Sequence, residues 1–137
     1  MKHVPVLLKE VLAALKPKKG HVVVDCTVGL GGHSAALLEL GVRVIGLDLD
    51  PANLKEAQDR FEILGGEFSL HHSNFAGLPK VMGGLGIERV DGILADLGVS
   101  SPHIDDPKRG FSYRRPGPLD MRMDPTRGQT AASLLDR

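Results

Sequence analysis

Three aspartates, Asp25, Asp48 and Asp96, each stand directly after an apolar run: Val22-Val23-Val24, Val44-Ile45-Gly46-Leu47 and Ile93-Leu94-Ala95. Between the first two lies a glycine turn, Gly29-Leu30-Gly31-Gly32-His33, followed by the helical pattern Ser34-Ala35-Ala36-Leu37-Leu38. Glycines in such a turn let the backbone approach a ligand, and the N–H groups opening the helix can face its polar or anionic groups. Asp48 comes nineteen residues after Gly29 and is placed to accept two hydrogen bonds from a ribose diol.

The turn spacing, Gly29-x-Gly31-x-x-Ser34, lacks the third glycine of a dinucleotide fingerprint. Asp25 separates the options further, because a carboxylate there would repel a pyrophosphate but suit an ammonium and a sulfonium. That chemistry points to S-adenosylmethionine. The alternative is that Asp25 only accepts hydrogen bonds from backbone N–H groups of the turn. Asp96 has two readings as well: it orients an amine in line with a sulfonium methyl, or it caps a turn. Phe75 is either a flat partner for an adenine ring or an anchor for the next helix. His71 and His72 are neighbours on a strand and point to opposite faces, so no metal centre is expected.

These side chains need a scaffold that gathers strand ends at one edge. Leu7, Leu8, Val11, Leu12 and Leu15 fall at helical spacing, and Lys16-Pro17 closes that helix. Strands are expected at residues 22–24, 42–47, 67–72 and 90–95, with helices from Ser34 to Gly41, after Asp50-Pro51, and from Leu78 to Leu85. Asp50 reads as an N-cap with proline in the first helical position. The near-continuous apolar strands fit a parallel sheet covered on both faces, whose ligands bind at the carboxyl edge.

Composition narrows the classes. The 137 residues are 42% hydrophobic and 25% charged with zero formal net charge, which suits one globular domain and argues against a general nucleic-acid coat. No apolar run nears the roughly 20 residues of a membrane span, and Met1-Lys2-His3-Val4-Pro5 lacks the character of a secretory signal. The lone Cys26 cannot form an internal disulfide, so a cytoplasmic location is expected. From Ser100 to Met123 a proline-rich stretch with little periodicity reads as a long irregular loop. In it Lys108, Arg109, Arg114 and Arg115 surround Phe111 and Tyr113. The pattern suits phosphate contacts plus base stacking on RNA, or equally a solvated loop with aromatic plugs.

Several segments together resemble the bacterial small-subunit ribosomal RNA cytosine N(4)-methyltransferase family. They are His3-Val4-Pro5-Val6-Leu7-Leu8, Gly31-Gly32-His33, residues 91–102 (Asp91 to Pro102), Arg109-Gly110-Phe111-Ser112-Tyr113 and residues 118–124 (Pro118 to Asp124). The resemblance implies an α/β class I methyltransferase (Rossmann-like) with a parallel sheet and helices on both faces, incomplete at the C-terminus. Residues 1–137 would be the N-terminal part of a single adenosylmethionine-binding domain, without the inserted helical domain and the later strands. It implies S-adenosyl-L-methionine as cofactor, bound by Gly31, Gly32, His33, Asp48, Phe75 and Asp96, with His103 standing where the family commonly has glutamine. The substrate would be the exocyclic amine of a cytidine in small-subunit ribosomal RNA or in the assembled subunit, with no membrane partner. No proton acceptor is assigned. Displacement by a weakly nucleophilic aromatic amine requires positioning, for which Asp96 is the candidate. Ring-carbon methylation would need a cysteine near the fourth strand, and Cys26 lies on the first. The alternatives are a dinucleotide-binding oxidoreductase fragment and a non-enzymatic RNA-binding module.

Overall fold

The structure is a computed structural model that describes residues 5–136. The opening residues Met1 to Val4, including His3 and Val4 of the N-terminal motif, lie outside the described residues. The chain forms two compact units, Met1–Asp96 and Leu97–Arg137.

In the first unit four strands, β1 (Val22–Asp25), β2 (Arg43–Asp48), β3 (Phe68–His72) and β4 (Gly92–Leu94), alternate with four helices. The helices are α1 (Leu8–Leu15), α2 (Gly32–Glu39), α3 (Pro51–Leu64) and α4 (Leu78–Leu85). The strands form one all-parallel sheet in the order β3-β2-β1-β4. Both faces of β1 and β2 are buried, which is why they read as apolar runs instead of alternating. Val23 and Val44 pack with Leu37, Ala57 and Phe61 of α2 and α3, and Leu12 and Leu15 of α1 join them. On the opposite face Val24, Ile45 and Leu47 meet Leu78, Val81 and Leu85 of α4. The sheet with helices on both faces agrees with the sequence reading.

Helix ends follow local chemistry. Asp50 caps α3 through Oδ1, which accepts from the Ala52 N–H at 2.9 Å, with Pro51 in the first turn. Gly41, at φ +75°, lies just past the end of α2; its N–H donates to Leu38 and the Val42 N–H to Leu37, satisfying carbonyls the helix leaves open.

The second unit corrects the reading of residues 100–123 as irregular only over residues 101–109, since residues 110–123 form no helix or strand. It holds a short helix, α5 (Ser101–Asp105), a 3-10 turn at Pro107–Arg109, and α6 (Ala131–Leu135). Pro102 and Pro107 sit in first turns, where proline starts a helix instead of breaking it. Asp106 Oδ1 accepts from the Lys108 N–H, and Thr130 Oγ1 accepts from the Ser133 N–H.

Candidate cofactor site

The parallel sheet of the first unit places the C-terminal ends of its strands on one rim, and short hydrogen bonds join neighbouring ends. At one side the Ser73 N–H donates to the Asp48 carbonyl, tying the exit of β3 to β2. Next, Asp48 Oδ2 accepts from the Gly29 N–H at 2.7 Å, pinning the glycine turn. Thr27, at the base of that turn, accepts through Oγ1 from the Asp96 N–H at 2.7 Å, which ties in the exit of β4. The turn, Asp48 and Asp96 therefore share one rim.

The glycines do different work from one another. A Cβ on Gly31 (φ +76°) would lie 2.6 Å from Cε1 of Phe61, and one on Gly32 would lie 2.5 Å from Cγ of Pro5. Their smallness serves packing within the protein, a correction to the expectation that all the glycines clear space for a ligand. Gly29 fits that expectation: at φ +52° its Cβ position meets nothing closer than the Thr27 carbonyl oxygen at 3.8 Å. The first-turn N–H groups of Gly32, His33 and Ser34 have no partner within the helix, as at any helix start. The His33 ring is turned the other way, with Nε2 2.8 Å from the Val6 carbonyl.

Asp25 does not face a ligand. It is 1% exposed; Oδ1 accepts from the Thr27 N–H at 3.1 Å and Oδ2 from the Ser34 hydroxyl at 2.7 Å. Burial pushes its carboxyl above 3.8, opposed by the bonds from Ser34 and Thr27. The alternative reading of Asp25 as a partner of the turn therefore holds, and the inference from its charge to a sulfonium is overturned. It also explains Ser34: a third glycine there would leave a buried carboxylate oxygen without its donor.

Asp48 is 8% exposed and already well occupied. Besides Gly29, the Asp50 N–H donates to Oδ1 at 2.8 Å and Asn53 Nδ2 lies 3.5 Å from the same oxygen. A carboxylate offers roughly four acceptor positions, so about one remains for a ligand hydroxyl. Asn53 had no signal in the sequence beyond following an N-cap by three. Phe75, in a 3-10 turn after β3, is 57% exposed and anchors no core. Asp96 is also exposed.

His71 and His72 hold separate partners, Ser69 Oγ and the Leu49 carbonyl, and no cluster able to hold a metal ion occurs among the described residues. Cys26 is buried on the first strand's exit, with its thiol pushed up by burial. No described helix is long and apolar enough to cross a membrane.

In the second unit His103 is 1% exposed: Nδ1 accepts from the Ser100 N–H at 3.1 Å and the ring packs on Phe111, centroids 5.5 Å apart. Arg109 points inward, its Nη2 donating to the carbonyls of Arg122 and Met123 at 3.1 and 2.8 Å. Asp120 and Arg122 form a two-bond ion pair at 2.8 and 2.7 Å, and the Arg122 guanidinium holds the Asp120 carboxyl down at about 2. Tyr113 is 92% exposed with the Arg114 guanidinium 5.9 Å from its ring centroid. Lys108 is exposed too, while Arg115 donates to the Asp105 carbonyl. The basic cluster thus divides into fasteners, Arg109 above all, and a free aromatic-cationic surface.

Among solved structures the chain is similar to a dimethyladenosine transferase from Plasmodium falciparum, with a TM-score of 0.57 and 23% identity over 75% of this chain and 37% of that one. It is also similar to the C-terminal domain of a precorrin-6Y methyltransferase from Rhodobacter capsulatus, with a TM-score of 0.58 and 20% identity over 72% and 52%. At these identities the likeness shows a shared fold. In sequence it is 50% identical over 136 residues to the ribosomal RNA small subunit methyltransferase H of Sorangium cellulosum, covering 98% of this chain and 43% of that protein. It is 48% identical over 140 residues to the protein of the same name from Burkholderia ambifaria, covering 100% and 44%. The chain thus spans less than half the length of the curated relatives it matches. Residues 1–137 match the MraW methylase family throughout, and the chain belongs to that family.

Proposed function

We propose that this chain supplies the S-adenosyl-L-methionine site of a methyltransferase acting on the exocyclic amine of a cytidine in small-subunit ribosomal RNA. The observation that carries the reading is the shared rim, where the Gly29 N–H donates to the Asp48 carboxylate and the Asp96 N–H donates to the Thr27 hydroxyl at the base of the same turn. The donor set fits: a free position on Asp48 suits a ribose hydroxyl, the helix-start N–H groups suit a carboxylate, and exposed Phe75 offers a face to a base. Family membership and two relatives named as ribosomal RNA small subunit methyltransferases favour this over a dinucleotide oxidoreductase.

When bound, the cofactor supplies a methyl group on a sulfonium for in-line displacement. The chain's own contribution is positional. Asp48 and Gly29 hold each other, so the ligand meets a preformed turn. Asp96 accepts a hydrogen bond from the amine, turns it toward the methyl group and offers a carboxylate near the proton released afterwards. His33 and His103, whose rings bond within the protein, shape the turn and the loop, and His33 offers the ligand its backbone N–H. Tyr113, Arg114 and Lys108 form the RNA-facing surface, by stacking and phosphate contact. In the same reading residues 1–137 are the N-terminal part of one cytoplasmic adenosylmethionine-binding domain, and the greater length of the relatives leaves room for later strands and an inserted helical domain.

The test is transfer of a labelled methyl group from S-adenosylmethionine to small-subunit RNA or particles, followed by nucleoside analysis. Label recovered as N(4)-methylcytidine supports the reading. Label on a ring carbon or another base, or binding of a reduced nicotinamide cofactor in place of S-adenosylmethionine, overturns it.

A further inference from the structure

We infer that Thr27 is a positioning residue, whose hydroxyl holds the Asp96 end of β4 against the glycine turn; the inference rests on the reading of Asp96 as the group that orients the amine. β4 is only three residues long and lies at the edge of the described sheet. Its strand register with β1 ends at the pair Asp25 and Leu94, and the last backbone bond across that seam is Cys26 N–H to the Leu94 carbonyl at 2.8 Å. Beyond it the ladder ends, and two residues past Leu94 the Asp96 N–H donates to Thr27 Oγ1, just after β1, at 2.7 Å.

That hydroxyl is itself held. The Thr27 N–H donates to Asp25 Oδ1, and Asp25 Oδ2 accepts from the Ser34 hydroxyl in the first turn of α2. One polar chain therefore runs from α2 through the end of β1 to the end of β4, linking the turn that would hold the cofactor to the carboxylate that would hold the acceptor. Threonine suits the position because its branched Cβ restricts χ1 and keeps Oγ1 on one heading. Buried Asp25 supplies the fixed base of the chain, which gives its occluded carboxylate a role that direct ligand contact does not.

Thr27→Val removes the hydroxyl and keeps the shape, while Thr27→Ser restores the hydroxyl without the methyl group. Two measurements read the effect: hydrogen exchange of the Asp96 amide by NMR, and steady-state methyl transfer. In Thr27→Val the Asp96 amide is expected to exchange about tenfold faster, with kcat down about tenfold and KM for S-adenosylmethionine within about twofold of wild type. Thr27→Ser is expected to recover most of both. An unchanged Asp96 amide in Thr27→Val, an unchanged kcat, or a Thr27→Ser variant no better than Thr27→Val would overturn the inference. If the wild-type protein transfers no methyl group at all, the functional reading fails by itself; the Asp96 amide then decides whether Thr27 holds that end, faster exchange in Val with recovery in Ser supporting it and no change refuting it.

Discussion

Replacing Gly31 by alanine separates the two jobs a glycine can do in this turn. The added Cβ would stand 2.6 and 2.7 Å from two ring atoms of Phe61, far inside contact distance. Phe61 is fully buried and meets Phe68 edge-on with centroids 5.3 Å apart, so its ring has little room to retreat. Overpacking of this kind costs about 1–3 kcal/mol, and holding alanine at φ +76° adds about 1–2 kcal/mol. The expected loss is about 2–5 kcal/mol, a large share of the roughly 5–15 kcal/mol that a domain has. Gly29→Ala shares only the backbone cost, about 1–2 kcal/mol, because its Cβ would meet only the Thr27 carbonyl oxygen at 3.8 Å, an ordinary contact. Urea unfolding of both variants, and of Gly31→Ala combined with Phe61→Leu, reads the difference. The smaller side chain should return part of the Gly31→Ala loss. If Gly31→Ala costs no more than Gly29→Ala, or if Phe61→Leu returns nothing, the packing account of Gly31 is wrong.

Other outcomes follow from the same geometry. Ser34→Gly, which would complete a dinucleotide fingerprint, should instead destabilise by about 1–3 kcal/mol in urea unfolding, because a buried Asp25 oxygen loses its donor. Burial raises the Asp25 carboxyl above 3.8, so its contribution is complete below that value and declines as pH climbs through the folded-state value. The stability of wild type relative to Asp25→Asn should therefore fall as pH rises above 3.8 and through the raised folded-state value; a difference that grows in the opposite direction would refute the assignment. Arg109→Ala leaves two carbonyls without their donor and should loosen residues 110–124, read as faster proteolysis there, while the first unit's unfolding is unchanged.

Much of the scaffold was readable because each strand and helix carried one dominant signal. Val22-Val23-Val24 and Val44-Ile45 are buried on both faces, so their apolar runs had one interpretation, and Asp50-Pro51 marks a helix start by two independent rules. Asp25 misled because a carboxylate at a strand end has the same sequence signature whether it faces a ligand or a neighbouring hydroxyl. The donor, Ser34, was visible only as a missing glycine. Gly31 and Gly32 misled for a related reason: the partners that require their smallness, Phe61 and Pro5, come from distant points in the chain. Within the irregular stretch after Ser100 only residues 101–109 depart from the expectation, because Pro102 and Pro107 stand where the ring's fixed φ favours a helical start. Arg109 and its neighbours looked alike by type, and only the carbonyls of Arg122 and Met123 distinguish the fastener from the free cations.

The account turns on one rim holding S-adenosylmethionine or its demethylated product, and NMR titration of the chain with S-adenosylhomocysteine tests it most directly. Saturable shifts should concentrate on the amides of Gly29, Gly32, His33, Asp48, Phe75 and Asp96, and Asp48→Ala should weaken binding at least about tenfold, the loss of a charge-assisted hydrogen bond. Shifts that bypass these residues, or undiminished binding in Asp48→Ala, would contradict it.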